Sequence, residues 1–98
     1  MAESALQALE AAFPDVVAQM DEFFDSHDFI LALAQMEQQL YIKALAAYVK
    51  HEHPFQIVQG EIARRLSRHS DLVVRVGETT SKDIFHHTGS AVVWRKNK

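Results

Sequence analysis

The sequence predicts one α+β domain in which four or five helices precede a C-terminal two-stranded β-ribbon. Apolar residues recur at helical spacing through most of the chain as far as His69. Two short β-branched runs follow, Leu72–Val76 and Ala91–Arg95, and each is typical of a strand. Helices followed by a ribbon belong to the α+β class, and 98 residues are expected to form a single domain.

Capping patterns and a proline divide the first helices. Ser4 followed by Gln7 is a capping-box pattern, which starts the first helix. Pro14 ends or kinks that helix and suits the first position of the next one, whose apolar face is expected to reach Phe24. Asp25 can then cap a third helix.

The middle of the chain is also predicted to be helical. Phe29–Met36 is apolar nearly all round, so we expect a buried central helix there. Gln38–His51 keeps the helical pattern, and the sequence leaves open whether residues 28–51 form one helix or two. His53 interrupts the pattern, because a residue that precedes proline avoids the helical region.

Phe55–His69 is the clearest amphipathic helix, with apolar side chains on one side and arginines on the other. The ribbon must bury one face, and Trp94 is its largest residue. We therefore expect Trp94 to pack against the apolar side of this helix. Between the strands, Ser81–His87 is expected to form one helical turn.

The composition excludes several classes of protein. The chain contains no cysteine, which rules out disulfides and thiolate sites and favours a reducing compartment. The longest apolar run, Phe29–Ala34, is far shorter than the roughly 20 residues that cross a bilayer. The acidic N-terminus does not resemble a signal peptide. We expect a cytoplasmic protein with no membrane partner.

The charges are divided between the two halves of the chain. Residues 1–42 contain eight acidic side chains and no Lys or Arg, whereas residues 43–98 contain ten Lys and Arg and five acids. The halves carry −8 and +5, which sum to the net charge of −3. A basic half can bind a polyanion, and an acidic half can shield it or bind a different partner.

The order of elements in residues 38–96 is helix, short turn, basic amphipathic helix, strand, long connection and strand. This order resembles the layout of a winged helix-turn-helix domain, with Phe55–His69 as recognition helix and the ribbon as wing. The resemblance implies a non-catalytic module that binds duplex DNA. The chain then divides into an acidic helical part, residues 1–36, and a helix-turn-helix-like part with the ribbon, residues 37–98.

The candidate DNA contacts lie on this helix and on the ribbon. Glutamine amides near the start of the helix can read adenine edges, and arginines suit phosphates or guanine. Arginines near the C-terminal end of a helix also favour its dipole, so an ordinary solvated face is the competing interpretation. The candidates are Gln56, Gln59, Arg64, Arg65, Arg68, Arg75, Lys82, Arg95 and Lys96, with Lys98 beyond them.

A second hypothesis is a protein-interaction or adaptor domain with no nucleic-acid role. The acidic helices of residues 1–25 carry an apolar stripe that could form a homodimer, bind another protein, or close the core of one chain.

Neither a cofactor nor catalysis is expected. The His51/His53 and His86/His87 pairs lie at predicted helix ends or loops, where solvated histidines are more common than metal ligands. The serines lack the strand–turn–helix context of a nucleophile, and the three glycines do not form a known phosphate-binding motif.

Overall fold

A computed structural model describes residues 2–97 of the chain and the side chains of residues 4–97. This part contains five helices and three strands, which confirms the α+β class. The elements are α1 (Ala2–Ala11), α2 (Phe13–Gln19), β1 (Phe23–Asp25), α3 (Ser26–Met36), α4 (Gln38–Ala47), α5 (Pro54–Leu66), β2 (Val73–Lys82) and β3 (Thr88–Lys96).

The three strands form one antiparallel sheet in the order β1-β3-β2, so the expected two-stranded ribbon is wrong in its strand number. β3 is the central strand. It pairs with β1, where Phe24 lies opposite Trp94, and with β2 from Val73 to Lys82. The third strand comes from the acidic half of the chain, and it joins the two halves in one sheet.

The prediction that the second helix reaches Phe24 is wrong. α2 ends at Gln19, and the backbone of Met20 is extended, with φ −80° and ψ 160°. Phe23 is exposed and Phe24 is buried, which is the alternation of a strand. Pairing with β3 gives this short segment the backbone hydrogen bonds that a continued helix would have supplied.

α3 begins at the predicted cap. The Asp28 N–H donates to Asp25 Oδ1 at 2.9 Å, and the Asp25 N–H donates to Asp28 Oδ2 at 3.2 Å. This reciprocal pair is a capping box. It fixes the point at which the chain leaves the sheet and enters a helix.

The helical segment after this cap contains two helices, which settles the alternative left open by the sequence. Glu37 separates α3 from α4, with φ −125° and ψ 57°. The expectation that α3 is buried all round is wrong, because Leu31 and Met36 are exposed. Phe29 and Leu33 are fully buried, so α3 is amphipathic and one side of it faces solvent.

The hairpin of β2 and β3 is longer than the sequence predicts. β2 does not end at Val76, the last residue of the predicted strand. It continues past Gly77 through a β-bulge that leaves Val76 as the extra residue. The helical turn expected at Ser81–His87 is also wrong. β2 runs to Lys82, and a tight loop follows, in which the Asp83 N–H donates to the His87 carbonyl at 2.9 Å.

Trp94 is buried in the core, in one cluster with Val58, Ile62 and Leu66 of α5. Its indole Nε1–H donates to Ser26 Oγ of α3 at 3.0 Å, a contact that the sequence does not predict. This contact follows from β1: Phe24 lies opposite Trp94, so the first turn of α3, which begins two residues later, is brought close to the indole.

We predict that Trp94→Ala lowers the free energy of unfolding by about 3–5 kcal/mol, because it removes a buried indole and leaves a cavity. Trp94→Phe should cost less, because it keeps an aromatic ring and loses mainly the hydrogen bond to Ser26. Urea unfolding followed by circular dichroism measures both values. A loss below about 1 kcal/mol for Trp94→Ala would show that β3 is not a structural part of the core.

Candidate functional site

α5 is held by its apolar side and leaves a polar side open to solvent. Pro54 occupies its first turn, and Val58, Ile62 and Leu66 are fully buried. The helix ends at Leu66, one turn earlier than predicted. Its exposed positions are Phe55, Gln56, Gly60 and Arg64. These positions recur at helical spacing, so they form one outward stripe along the helix.

The tip of the β2–β3 hairpin lies against the start of α5. The rings of Phe55 and Phe85 meet edge to face, with centroids 4.8 Å apart and an interplanar angle of 89°. Both side chains remain partly open to solvent, Phe55 at 37% and Phe85 at 46%. This contact places the hairpin loop beside Gln56, the first exposed polar side chain of the helix.

The loop is ordered by Asp83. Asp83 Oδ1 accepts the backbone N–H groups of Phe85 at 2.8 Å and of His87 at 2.9 Å. The bond from His87 is the main cause that lowers the pKa of Asp83 below its usual value. His86 has a φ of 65°, the left-handed conformation that closes a three-residue hairpin loop. The loop thus has a defined shape, and one carboxylate is used to hold it.

A second contact ties the hairpin to α3. His27 Nδ1 and Ser81 Oγ lie 2.6 Å apart, at the edge of a groove between α3, α5 and β3. Gln59, Gly60 and Ala63 form the α5 wall of that groove. This pair has no signal in the sequence, because His27 and Ser81 are 54 positions apart and only the extension of β2 brings them together.

Arg65 is not a surface residue, and this corrects its place among the candidate DNA contacts. Its side chain is 5% exposed, and Arg65 Nη1 lies 2.9 Å from Glu10 Oε1 of α1. His69 Nε2 lies 2.6 Å from the other Glu10 oxygen. Glu61 lies 3.7 Å from Arg65 Nε. The Glu10–Arg65–His69 cluster joins the acidic half of the chain to the end of the basic helix.

Three other predicted cations are engaged by nearby groups of the protein. Arg64 pairs with Glu61 on the same helix, and Arg75 pairs with Glu78 at 2.7 Å. Lys96 Nζ donates to the Ala18 carbonyl at 3.2 Å. Both arginines are exposed, so each pair contributes only about 0–1 kcal/mol.

The two predicted glutamines differ in exposure. Gln56 is exposed, whereas Gln59 is half buried and its amide approaches the hydroxyl of Tyr41 on α4. Burial raises the pKa of the Tyr41 phenol, and the amide opposes that rise. Gln59 is therefore turned partly toward the protein.

The remaining candidates are on the surface. Arg68, Lys82 and Arg95 are exposed. Arg68 follows the end of α5, and Lys82 precedes the hairpin loop. Arg95 lies at the base of the hairpin, opposite Val74. Lys98 lies outside the described residues. The exposed candidates on α5, just after it and on the hairpin are therefore Gln56, Arg64, Arg68, Arg75 and Lys82. Arg95 follows the buried Trp94 in β3, so its side chain leaves the sheet on the opposite face.

The apolar stripe of residues 1–25 is absorbed by the core of one chain. Its members Leu6, Leu9, Phe13, Val17 and Phe24 are all buried. The stripe therefore does not support the predicted dimer or protein-partner surface in this segment. The two most exposed large apolar side chains lie elsewhere, on α4 and just after it, where Ile42 is 63% and Val49 is 68% exposed.

Two further classes of site can be assessed within residues 2–97. Among these residues, no three His, Asp or Glu side chains are grouped as they would be around a metal ion. None of the five helices described has the length and apolar character of a membrane span.

Comparison with protein-family models, curated proteins and solved structures finds no match to this chain.

We predict that Glu10→Gln destabilises the protein by about 1.5–3 kcal/mol at neutral pH, because Glu10 holds the buried Arg65 charge. Partial burial raises the pKa of Glu10, but hydrogen bonds from His69 and Arg65 outweigh it, so the net shift is downward. A lowered pKa gives stability that is present above the unfolded value of about 4.5 and is lost as the pH falls below it.

Urea unfolding between pH 7 and pH 3 tests this. Wild type should lose the Glu10 contribution across the acid range, and Glu10→Gln should show a smaller acid loss. Asp21→Asn removes an exposed carboxylate and serves as a control for the change in net charge. Parallel pH curves for wild type and Glu10→Gln would contradict the assigned role of the cluster.

Proposed function

We propose that this protein is a small, non-catalytic winged-helix-like module that binds duplex DNA through α5 and the β2–β3 hairpin. The observation that carries the proposal is the docking of the hairpin tip on the first turn of α5 by the Phe55–Phe85 contact. A helix and a hairpin held side by side can contact a groove and the adjacent backbone at the same time. β1 does not interfere, because it pairs with the other edge of β3.

The dimensions of α5 suit a major groove. Its 13 residues span about 20 Å, and the groove is about 12 Å wide. Base contacts usually come from the N-terminal residues of a recognition helix. Gln56 is exposed at that end of α5 and can form two hydrogen bonds with adenine. The outward position of Gly60 leaves room for a close approach of the helix to DNA.

The cations of the proposed surface lie at both ends of α5. Lys82 accompanies the hairpin tip at the N-terminal end, and Arg68 follows the C-terminal end. The exposed guanidinium groups of Arg64 and Arg75 can turn from their carboxylate partners to phosphates at little cost, because such surface pairs contribute little. Arg65 is left out of the proposed surface because it is buried against α1.

In the proposed function, the acidic helices hold α5 and the hairpin in position. Glu10 holds the C-terminal end of α5 through Arg65, and β1 completes the sheet that supports the hairpin. The other exposed carboxylates of this half repel DNA, which favours a single orientation of the module on a duplex.

We predict that binding to duplex DNA weakens steeply with salt and that Arg68→Ala and Lys82→Ala each flatten the dependence. The slope of log affinity against log salt should fall by about 0.9 for each true phosphate contact, and by nearly 2 for the double variant. Fluorescence anisotropy with a labelled duplex at several salt concentrations measures the slope.

The matched control is Lys43→Ala. Lys43 is an exposed cation in the groove between α1 and α4, whose walls include no residue of α5 or the hairpin. Its removal changes the net charge equally and should leave the slope nearly unchanged. If wild-type protein fails to bind duplex DNA at low salt, the nucleic-acid proposal is wrong.

Gln56→Ala should separate base recognition from phosphate attraction. If Gln56 contacts a base, the variant should lose about 1–3 kcal/mol of preference for a selected sequence over a random one. Its salt slope should stay the same, because an amide releases no counterions. Equal loss of affinity for selected and random duplexes would show that Gln56 does not read sequence.

The alternative function is a protein-interaction domain with no nucleic-acid role. The observation that favours it is the exposure of Ile42 and Val49, which lie one on α4 and one just after it. Exposed large aliphatic side chains of this kind are typical of protein contacts when they form a patch. The binding measurement at low salt distinguishes the two functions.

A further inference from the structure

We propose that Phe85 is a base-stacking residue, and that the module prefers DNA in which an unpaired strand adjoins a duplex. This inference rests on the proposed function, because it assigns a DNA structure to the same surface. It concerns the hairpin tip, residues 83–87, and the first turn of α5.

The first support is the way in which the tip presents an aromatic ring to solvent. Phe85 is the middle residue of the loop, and 46% of it is exposed although Phe55 packs against it. The perpendicular arrangement of the two rings means that an edge of one meets a face of the other. Phe55 thus supports the ring of Phe85 from one side, and the His87 ring lies near it with centroids 6.3 Å apart. The exposed remainder of the Phe85 ring is open to a base.

The second support is the rigidity of the loop. Asp83 accepts two backbone N–H groups from within the loop, and His86 adopts the left-handed turn conformation. Behind the loop, the His27–Ser81 contact fastens the end of β2 to α3. An aromatic residue on a fixed hairpin tip loses little conformational entropy when it stacks on a base.

The third support is the chemistry around the ring. Lys82, His86 and His87 are exposed next to Phe85 in the chain, and His53 precedes the first turn of α5. The nearest carboxylate in the loop, Asp83, is engaged by backbone N–H groups. Glu52 is exposed and lies 3.4 Å from His53. Aromatic rings beside a cation such as Lys82 are the combination that binds single-stranded nucleic acid.

The preferred DNA structure follows from the free energy needed to make a base accessible to the Phe85 ring. In an intact duplex, every base is stacked on its neighbours, and inserting a side chain must first separate a step. An unpaired base beside a duplex end is already accessible. α5 and the hairpin cations would hold the duplex, and Phe85 would stack on the first unpaired base.

The test compares three ligands by fluorescence anisotropy: a blunt duplex, the same duplex with an unpaired tail, and the isolated tailed strand. Wild-type protein should bind the tailed duplex about tenfold more tightly than the blunt one. Phe85→Leu should abolish that preference and leave blunt-duplex affinity within about twofold, because leucine keeps an apolar contact with Phe55 but has no aromatic face. Phe85→Trp should restore the preference.

The matched control is Phe23→Leu, the same substitution at another exposed phenylalanine. Phe23 pairs with Arg95, at the end of β3 that lies about 23 Å from Thr88 at the hairpin tip. Its replacement should leave all three affinities unchanged. Urea unfolding of each variant confirms that the comparison is made between folded proteins.

The outcomes separate the two proposals. Equal binding of blunt and tailed duplexes by wild-type protein overturns the stacking role and leaves duplex binding intact. A tail preference that survives in Phe85→Leu also overturns it. A uniform loss for all three ligands shows that Phe85 positions the hairpin and does not stack. If no DNA binds at low salt, the proposed function itself fails, and the stacking role fails with it.

Discussion

The pairing of β3 between β1 and β2 is the constraint on which the rest of the structure depends. β3 lies near the end of the chain, β1 lies in the first third, and α3, α4 and α5 connect the two outer strands. When the sheet forms, these three helices are therefore held between strands that lie far apart in the sequence. Trp94 links the sheet to the helices, because its indole Nε1–H donates to Ser26 Oγ in the first turn of α3. An indole N–H buried without that partner would be costly, so strand register and helix start are linked.

α5 is positioned at both ends as a consequence. At its C-terminal end, the buried Arg65 guanidinium is held by Glu10 of α1. At its N-terminal end, Phe55 meets the hairpin tip that the sheet projects toward it. Fully buried aliphatic residues anchor the helix between these points. A surface helix fixed in this way keeps one outward face, which is a requirement for recognition of a repeating polymer such as DNA.

Sequence reasoning predicts the parts of this fold that depend on local signals. The capping role of Asp25, the amphipathic helix after His53 and the two β-branched runs are all present in the structure. It fails at Phe23 and Phe24, whose helical spacing is overridden by pairing with β3, a partner about 70 residues away. The helical turn predicted at residues 81–87 is also wrong. The register that extends β2 beyond Gly77 is set by long-range pairing with β3, which local sequence signals do not show.

In the candidate site, too, the sequence predicts features that depend on neighbouring residues and misses those that depend on long-range contacts. The sequence places Arg64, Arg65 and Arg68 on one polar side of a helix, and only the fold shows that Arg65 faces α1. The missed features, the Phe55–Phe85 contact and the His27–Ser81 contact, join residues 30 and 54 positions apart. Neither has a sequence signal, because both depend on where the hairpin ends.

Burial of Arg65 bears on the physical basis of the proposed DNA affinity. The Arg65 guanidinium pairs with Glu10 inside the protein, so one charge of the basic half does not remain for phosphates. Each lost phosphate contact lowers the counterion contribution, and nonspecific attraction must be modest for a chain with a net charge of −3. In the proposed function, useful affinity then comes from geometry: a glutamine at the groove end of α5 and a rigid aromatic tip beside it. The proposed module would distinguish DNA by shape and accessible bases more than by charge.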